Sequence, residues 1–508
     1  MSAIAAARVA DPAALVGLMV ASLALRAGAL DNPLWMDEGI SVGIASHPLA
    51  AIPSVLRLDG SPPLYYVVLH VWMAIAGHSE TALHALSAGF AVLCVPAAWW
   101  AGTTAVDRRT GRVAAVLVAC CPFVTRYAGD ARMYTLVVLL GLLCVGCFVG
   151  AYVHGRRGHV GWFAAALALL LYTHVWALFL VVAFGLAFAV VMATTPRDGL
   201  QARLRDGALG FGIAALLYLP WLPTAWYQAH HTGAPWATAP RVSVLARVPD
   251  VLLGGRPATL VLVLAAGAGL IATSVAARRE RSALVVVLIA LATVPVLLGW
   301  VASQVSPAWA MRYLAIVVAP TVLLAAIALI NARRPGLIAL AAVILLWTTA
   351  GASAAPDDIA TIARDVRPLT RPGDLVISAA PGQLPVLAYY LPADLRFASP
   401  FGLARDPGVM DWRDAVRHLD RTSVSGQLLP LLDRADPAGH VILVVPDRRD
   451  AAADPTPWAR RVSRRASEYE QALLHDGRFS LITTFASDVD GVRRAGAFRA
   501  LVFRKRTP

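Results

Sequence analysis

Eleven stretches of about 14 to 22 mostly apolar residues, many followed by a short arginine-bearing loop, are the feature that most restricts this chain. An α-helix rises about 1.5 Å per residue, so about 20 apolar residues cross the roughly 30 Å of hydrocarbon in a bilayer. The sequence therefore predicts a polytopic helical membrane protein. Spans are expected near 13–30, 83–104, 112–127, 133–153, 160–173, 174–193, 207–223, 257–277, 283–302, 312–331 and 336–352. Residues 13–30 carry no cleavage pattern and are expected to remain as a helix.

The loops set the expected orientation. Asp107–Arg112, His154–Arg157, Arg197–Arg205, Arg278–Arg281 and Asn331–Arg334 hold clustered arginines. All five fall on one side if there are eleven spans and the N-terminus is cytoplasmic, as the excess of basic residues in cytoplasmic loops requires. The net charge of +13 is thus a topology signal and not a nucleic-acid footprint. The aromatic segment 62–76 is too short to span, and counting it would place the arginines outside. It is expected along the outer surface. The outer loops are then 31–82 and 224–256, the second bearing Trp226, Tyr227, His230, His231 and Trp236.

After about residue 353 the chain becomes charged and proline-rich. Strand-like runs at 375–378, 441–445, 480–485 and 500–503 alternate with helical patterns near 357–370, 411–433 and 456–476. This predicts a small α/β domain over 353–508, on the outer side of an odd number of spans. No glycine-rich phosphate loop follows its strands, so no cofactor is expected. The five cysteines all lie in apolar segments, and Cys144–Cys147 reads as two buried thiols and not as a redox pair. The adjacent histidines 230 and 231 lack further ligands at helical spacing, and no metal site is expected.

Chemistry is expected where charge meets the outer membrane face. Asp37 and Glu38 lie about seven residues beyond the first span, and carboxylates so placed are costly unless used. The same pair could open a helix near Gly39, because Asp is a good N-cap. Asp130, Arg132 and Tyr134 sit between the third and fourth spans, where an ion pair with interfacial tyrosines is the alternative reading. His174 lies between two spans with almost no loop, and a buried histidine satisfied by a neighbour is the plainer reading. Arg312 and Tyr313 open a late span on the outer side, against the positive-inside trend. A phosphate is the natural partner of such an arginine, because its fork matches phosphate oxygens.

In this order these residues resemble the GT-C glycosyltransferases, specifically the family of the protein O-mannosyltransferases and the aminoarabinose lipid A transferases. The resemblance spans the chain: Asp37-Glu38, Asp59-Gly-Ser-Pro-Pro-Leu-Tyr65, Asp130-x-Arg132-x-Tyr134, Thr173-His174 and Arg312-Tyr313. Ser61 stands where many relatives carry His. The resemblance implies transfer, with inversion, of a sugar from a polyprenyl-phosphate donor in the membrane to an extracytoplasmic glycan, lipid or protein hydroxyl. Mannose is the expected sugar and arabinose the alternative. It implies Asp37 as general base, Glu38 orienting the acceptor, and Arg312 with Arg132 on the phosphate. Asp130, Tyr134, His174 and Tyr313 would complete the donor and acceptor contacts. A lipid or solute transporter is the rival from another class; it would leave the carboxylates and the external domain without a role.

Overall fold

The structure is a computed structural model, and it describes residues 3–276, 279–349, 358–437, 439–447, 456–486 and 497–506. Helices occupy all eleven predicted positions. In chain order they are α1 (Ala3–Ala27), α5 (Glu80–Ala105), α6 with α7 (Arg108–Cys120, Pro122–Ala128), α8 (Tyr134–Phe148), α9 (Val160–Leu171) and α10 (Ala177–Thr194). They continue with α11 (Arg197–Tyr218), α14 (Arg256–Ala276), α15 (Arg279–Val305), α16 (Ala315–Asn331) and α17 (Arg333–Thr349). Six helices among the described residues are long and apolar enough to cross a membrane, or eight if each of two bent pairs counts as one span. Pro12–Ala27 and Arg157–Leu171 are apolar but shorter. Arg278 and residues 350–357, where the last span was expected to end and the second domain to begin, lie outside the described residues.

The two predicted outer loops are largely helical. Residues 31–82 form α2 (Met36–Ala45), α3 (Ile52–Asp59) and α4 (Leu64–Ala76). At 13 residues α4 is about 20 Å long, too short to span, and it buries Tyr65, Tyr66, Leu69 and Met73 while leaving Val71 and Ile75 exposed. In the second loop, α12 (Leu222–His231) carries α11 onward in a 35-residue run, and α13 (Ser243–Leu252) meets α14 at 83°. Gly254 and Gly255 make that corner with φ of 75° and 103°, values that a side chain would strain. Trp347 donates to the Leu253 carbonyl there at 2.8 Å.

A second bend, of 48°, separates α6 from α7. Pro122 has no N–H, so the Val118 carbonyl four residues earlier keeps only the Cys121 N–H, at 3.4 Å. Arg26, buried at the end of α1, adds donors there: Nη2 lies 3.2 Å from the Val118 oxygen and Nη1 3.0 Å from that of Ala119. Arg26 has no place among the residues singled out by sequence.

Beyond residue 358 the chain forms a six-stranded sheet of order β3-β2-β1-β4-β6-β5. Its strands are β1 (Leu375–Ser378), β2 (Arg396–Ser399), β3 (Gly402–Leu403), β4 (His440–Pro446), β5 (Phe479–Ala486) and β6 (Phe498–Lys505). β1 pairs in parallel with β2 and β4; β6 runs antiparallel to both its neighbours, as does β3 to β2. The four predicted strands are present. The helix predicted over 411–433 is broken into α20 (Ala415–Asp420), a π turn and α21 (Leu429–Asp433), with Ser423 accepting from the Gly426 N–H at 3.0 Å between them. Successive residues of a strand face opposite sides. Leu375, Ile377, Val441 and Leu443 pack with α21 and α22 (Pro457–His475), whereas Val376, Ile442 and Val444 join the core shared with the membrane helices. α18 (Ile359–Val366) and α19 (Leu384–Tyr390) form that inner layer.

Candidate active site

α2 begins at Met36 with Trp35 as its cap residue. Its first turn holds both carboxylates, and the capping duty falls to Glu38, whose Oε2 accepts the Trp35 N–H at 3.1 Å. Asp37 is therefore free of the structural task that the helix-cap reading gave it. One face of α2 lies against the C-terminal region. A Cβ at Gly39 would come 2.7 Å from the Val386 nitrogen, and one at Gly43 would overlap the Gly408 carbonyl. The four-residue spacing puts both glycines on one helical face. Tyr390 on α19 adds a hydrogen bond from the Leu34 N–H to its hydroxyl at 2.8 Å.

Asp37 faces two guanidinium groups. Its Oδ2 is 3.3 Å from Arg312 Nη2 and 4.0 Å from Arg132 Nη2. Arg132 is held independently, donating through Nη1 to the Asp37 carbonyl at 3.2 Å, to Ser41 Oγ at 3.0 Å and to the Tyr66 hydroxyl at 3.4 Å. Arg312 lies among aromatic rings, 4.9 Å from the centroid of Trp236, 5.7 Å from Trp35 and 5.6 Å from Tyr313. Tyr313 packs edge-on to His174 at 4.9 Å, and His174 meets Tyr134 at 6.2 Å. His174 is buried. Its Nδ1 accepts the Trp176 N–H at 3.1 Å, which leaves the hydrogen on Nε2.

Glu38 is engaged differently. Besides Trp35, it accepts the Ala131 N–H and lies 2.8 Å from His84 Nε2. Both of its oxygens are thus engaged by the protein. Asp130 pairs with Arg126 at 3.3 Å. Burial, with repulsion from Glu38, raises its carboxyl above the usual carboxylate range. Burial also raises Asp59, at the end of α3, against the opposing bonds from Ser61.

All eight residues expected at the site therefore lie in one network around the first turn of α2. Sequence reasoning did not assign Trp35, Ser41, Tyr66, His84 or Trp236 to it. For His84 a signal existed, since an ionisable side chain inside an expected span marks a functional or structural site. Trp236 had none beyond its outer loop, because its approach to Arg312 depends on how α12 and α13 fold back.

The network is incomplete as it stands. Asp37 Oδ2, Nε of Arg132 and of Arg312, Trp35 Nε1 and the Tyr134 hydroxyl are buried without a hydrogen-bond partner among the described residues. Each such group costs about 1–3 kcal/mol if left unmet. An anion against the arginines and a hydroxyl against Asp37 would meet them. No group of three or more residues able to hold a metal ion occurs among the described residues.

By sequence, the chain matches no family model and no curated protein. By structure it is similar to ArnT from Cupriavidus metallidurans, at 15% identity, a TM-score of 0.62, and coverage of 97% of this chain and 98% of that one. An oligosaccharyltransferase from Archaeoglobus fulgidus aligns at 13% identity and TM-score 0.55, over 89% of this chain and 70% of that one. The mycobacterial arabinofuranosyltransferase AftD aligns at 13% identity and TM-score 0.52, over 97% of this chain and 40% of that one. The chain thus has the fold of the GT-C membrane glycosyltransferases.

Proposed function

We propose that this chain is an inverting membrane glycosyltransferase that moves a sugar from a polyprenyl-phosphate donor to an acceptor hydroxyl. The observation that carries the reading is Asp37 Oδ2, buried, without a hydrogen-bond partner among the described residues, and 3.3 Å from Arg312. The acceptor oxygen attacks the anomeric carbon as the bond from that carbon to the phosphate oxygen breaks. Asp37 takes the hydroxyl proton, and the electron pair of the broken bond stays with the lipid phosphate. The phosphate then gains a negative charge, which Arg312 and Arg132 stabilise without reorganising. Ionised carboxylate and fixed guanidinium groups suit one proton and one developing anion. Glu38 holds the Trp35 and Ala131 backbone in place, while Asp130, Tyr134, His174 and Tyr313 form the surrounding wall. Solved relatives of this fold include ArnT bound to undecaprenyl phosphate and AglB with a dolichol-phosphate, which supports a lipid-phosphate donor here.

In this reading residues 1–352 form an eleven-span catalytic domain with its site at the outer face, and residues 353–508 lie outside the cytoplasm above it. Mannose is the sugar expected from the family resemblance. Arabinose is the second reading, favoured by the likeness to an arabinofuranosyltransferase. The test is an assay of purified protein with radiolabelled polyprenyl-phosphate mannose and arabinose and a membrane extract as acceptor. Label transferred from one donor, with inverted anomeric configuration in the product, is the expected result. Retained configuration would overturn the single-displacement mechanism. Transfer from neither donor, together with lipid or solute movement in vesicles, would favour the transporter.

A further inference from the structure

His84 lies in the second turn of α5 and is fully buried. Its Nδ1 is 2.8 Å from the Leu30 carbonyl oxygen and its Nε2 2.8 Å from Glu38 Oε1. A carbonyl only accepts, so Nδ1 carries a hydrogen. Glu38 already accepts the Trp35 and Ala131 N–H groups, and hydrogen bonds of that kind favour an ionised carboxylate. Nε2 must then donate as well. A ring with both nitrogens donating is an imidazolium.

We infer that His84 is held as a buried imidazolium that neutralises Glu38, so that Asp37 faces the two arginines without a second uncompensated anion beside it. His84 touches neither donor nor acceptor in this scheme; it is a positioning residue acting through Glu38, and its consequence for turnover rests on the proposed role of Asp37 as base. The charged groups around it come from separate elements. Glu38 approaches from α2 and Asp130 from the turn before α8, Asp130 being paired with Arg126 of α7. Arg132 and Arg312 lie on the Asp37 side. A bare Glu38 anion would add like-charge repulsion at Asp37, its neighbour in the first turn of α2. Loss of the His84 charge would therefore disable the base at a pH where the native protein still works.

The test uses the full chain in detergent with three variants, His84→Gln, Glu38→Gln and the double variant. Two quantities are measured: the melting temperature, and the pH profile of sugar transfer. Each single change is expected to lower the melting temperature, because it leaves one buried charge alone, and the double change to recover most of the loss. A double variant that folds where a single one does not counts as the same result. Simply additive losses would overturn the ion pair. In the activity arm, His84→Gln is expected to move the acid limb of the profile upward by about one pH unit or more, and the double variant to bring it back. Coupled melting temperatures with an unmoved acid limb would overturn the link to Asp37 while keeping the pair. Failure of the base assignment itself would show elsewhere, as normal turnover in Asp37→Asn.

Discussion

Asp37 and Glu38 are neighbours in sequence, carry the same functional group and are both buried, yet their surroundings are opposite. Both Glu38 oxygens are engaged, by two backbone N–H groups and an imidazole from three separate stretches of chain. Asp37 faces two arginines, and its Oδ2 has no hydrogen-bond partner among the described residues. A satisfied buried polar group makes structure, because removing it strands its partners. An unsatisfied one keeps interaction free energy in reserve for a ligand. Burial alone does not distinguish the two carboxylates; the count of unmet hydrogen bonds does.

Asp37→Asn should have the greatest effect. Turnover is expected to fall about 10²–10⁴-fold, the usual share of general base catalysis, with donor binding kept and a smaller loss of melting temperature than in Glu38→Ala. A loss of stability as large as that of Glu38→Ala, with turnover kept, would place Asp37 with Glu38 among the structural groups. Arg312→Lys comes next. It keeps the charge and loses the planar fork, so turnover is expected to drop about 10–10³-fold with the fold intact. Normal turnover and tight donor binding in Arg312→Lys would remove Arg312 from the site. Glu38→Ala should behave in the reverse sense. Breaking a buried pair from one side costs about 3–5 kcal/mol, so thermal unfolding is expected well below that of the native protein before any kinetic effect is read. An unchanged melting temperature would refute its scaffolding role.

The smallest effect concerns Asp130. Its carboxyl is raised in the fold above an unfolded value of about 4, so the fold favours the protonated form. That contribution to stability is complete below about pH 4 and is lost as pH rises through the folded value. Asp130→Asn should flatten this decline, read as melting temperature against pH. A native profile that instead gains stability over the same range would show the Arg126 pair outweighing burial.

Much of this was legible in the chain, and the rest was hidden for physical reasons. Long apolar runs announce helices by composition alone, which is why all eleven positions are helical. β4 is legible for a related reason: Val441 to Val445 is an unbroken β-branched and aliphatic run, as strands covered on both faces require. β2 and β3, at four and two residues, and the seven-residue α19 are too short to carry a period. The helix expected over 411–433 fails where Thr422-Ser-Val-Ser-Gly426, poor helix formers, interrupt the pattern and Ser423 turns the backbone and caps the next turn. In the candidate site, the residues picked out at sequence-local spacing lie close together. The different surroundings of Asp37 and Glu38 were not legible, because they depend on Ala131 and His84, which are distant in sequence.

The seam between Gly39 and Val386, and between Gly43 and Gly408, has a consequence for how this protein can be cut or rebuilt. The sheet-bearing region looks detachable in a linear diagram, a soluble module appended to a membrane bundle. Its backbone nevertheless forms one wall of the helix that carries Asp37, at a distance that admits no side chain. Deleting it, or grafting another protein's counterpart, would strip support from the first turn of α2 and expose a glycine face built for contact. The boundary that matters for engineering therefore runs not between membrane and soluble parts but around the two together.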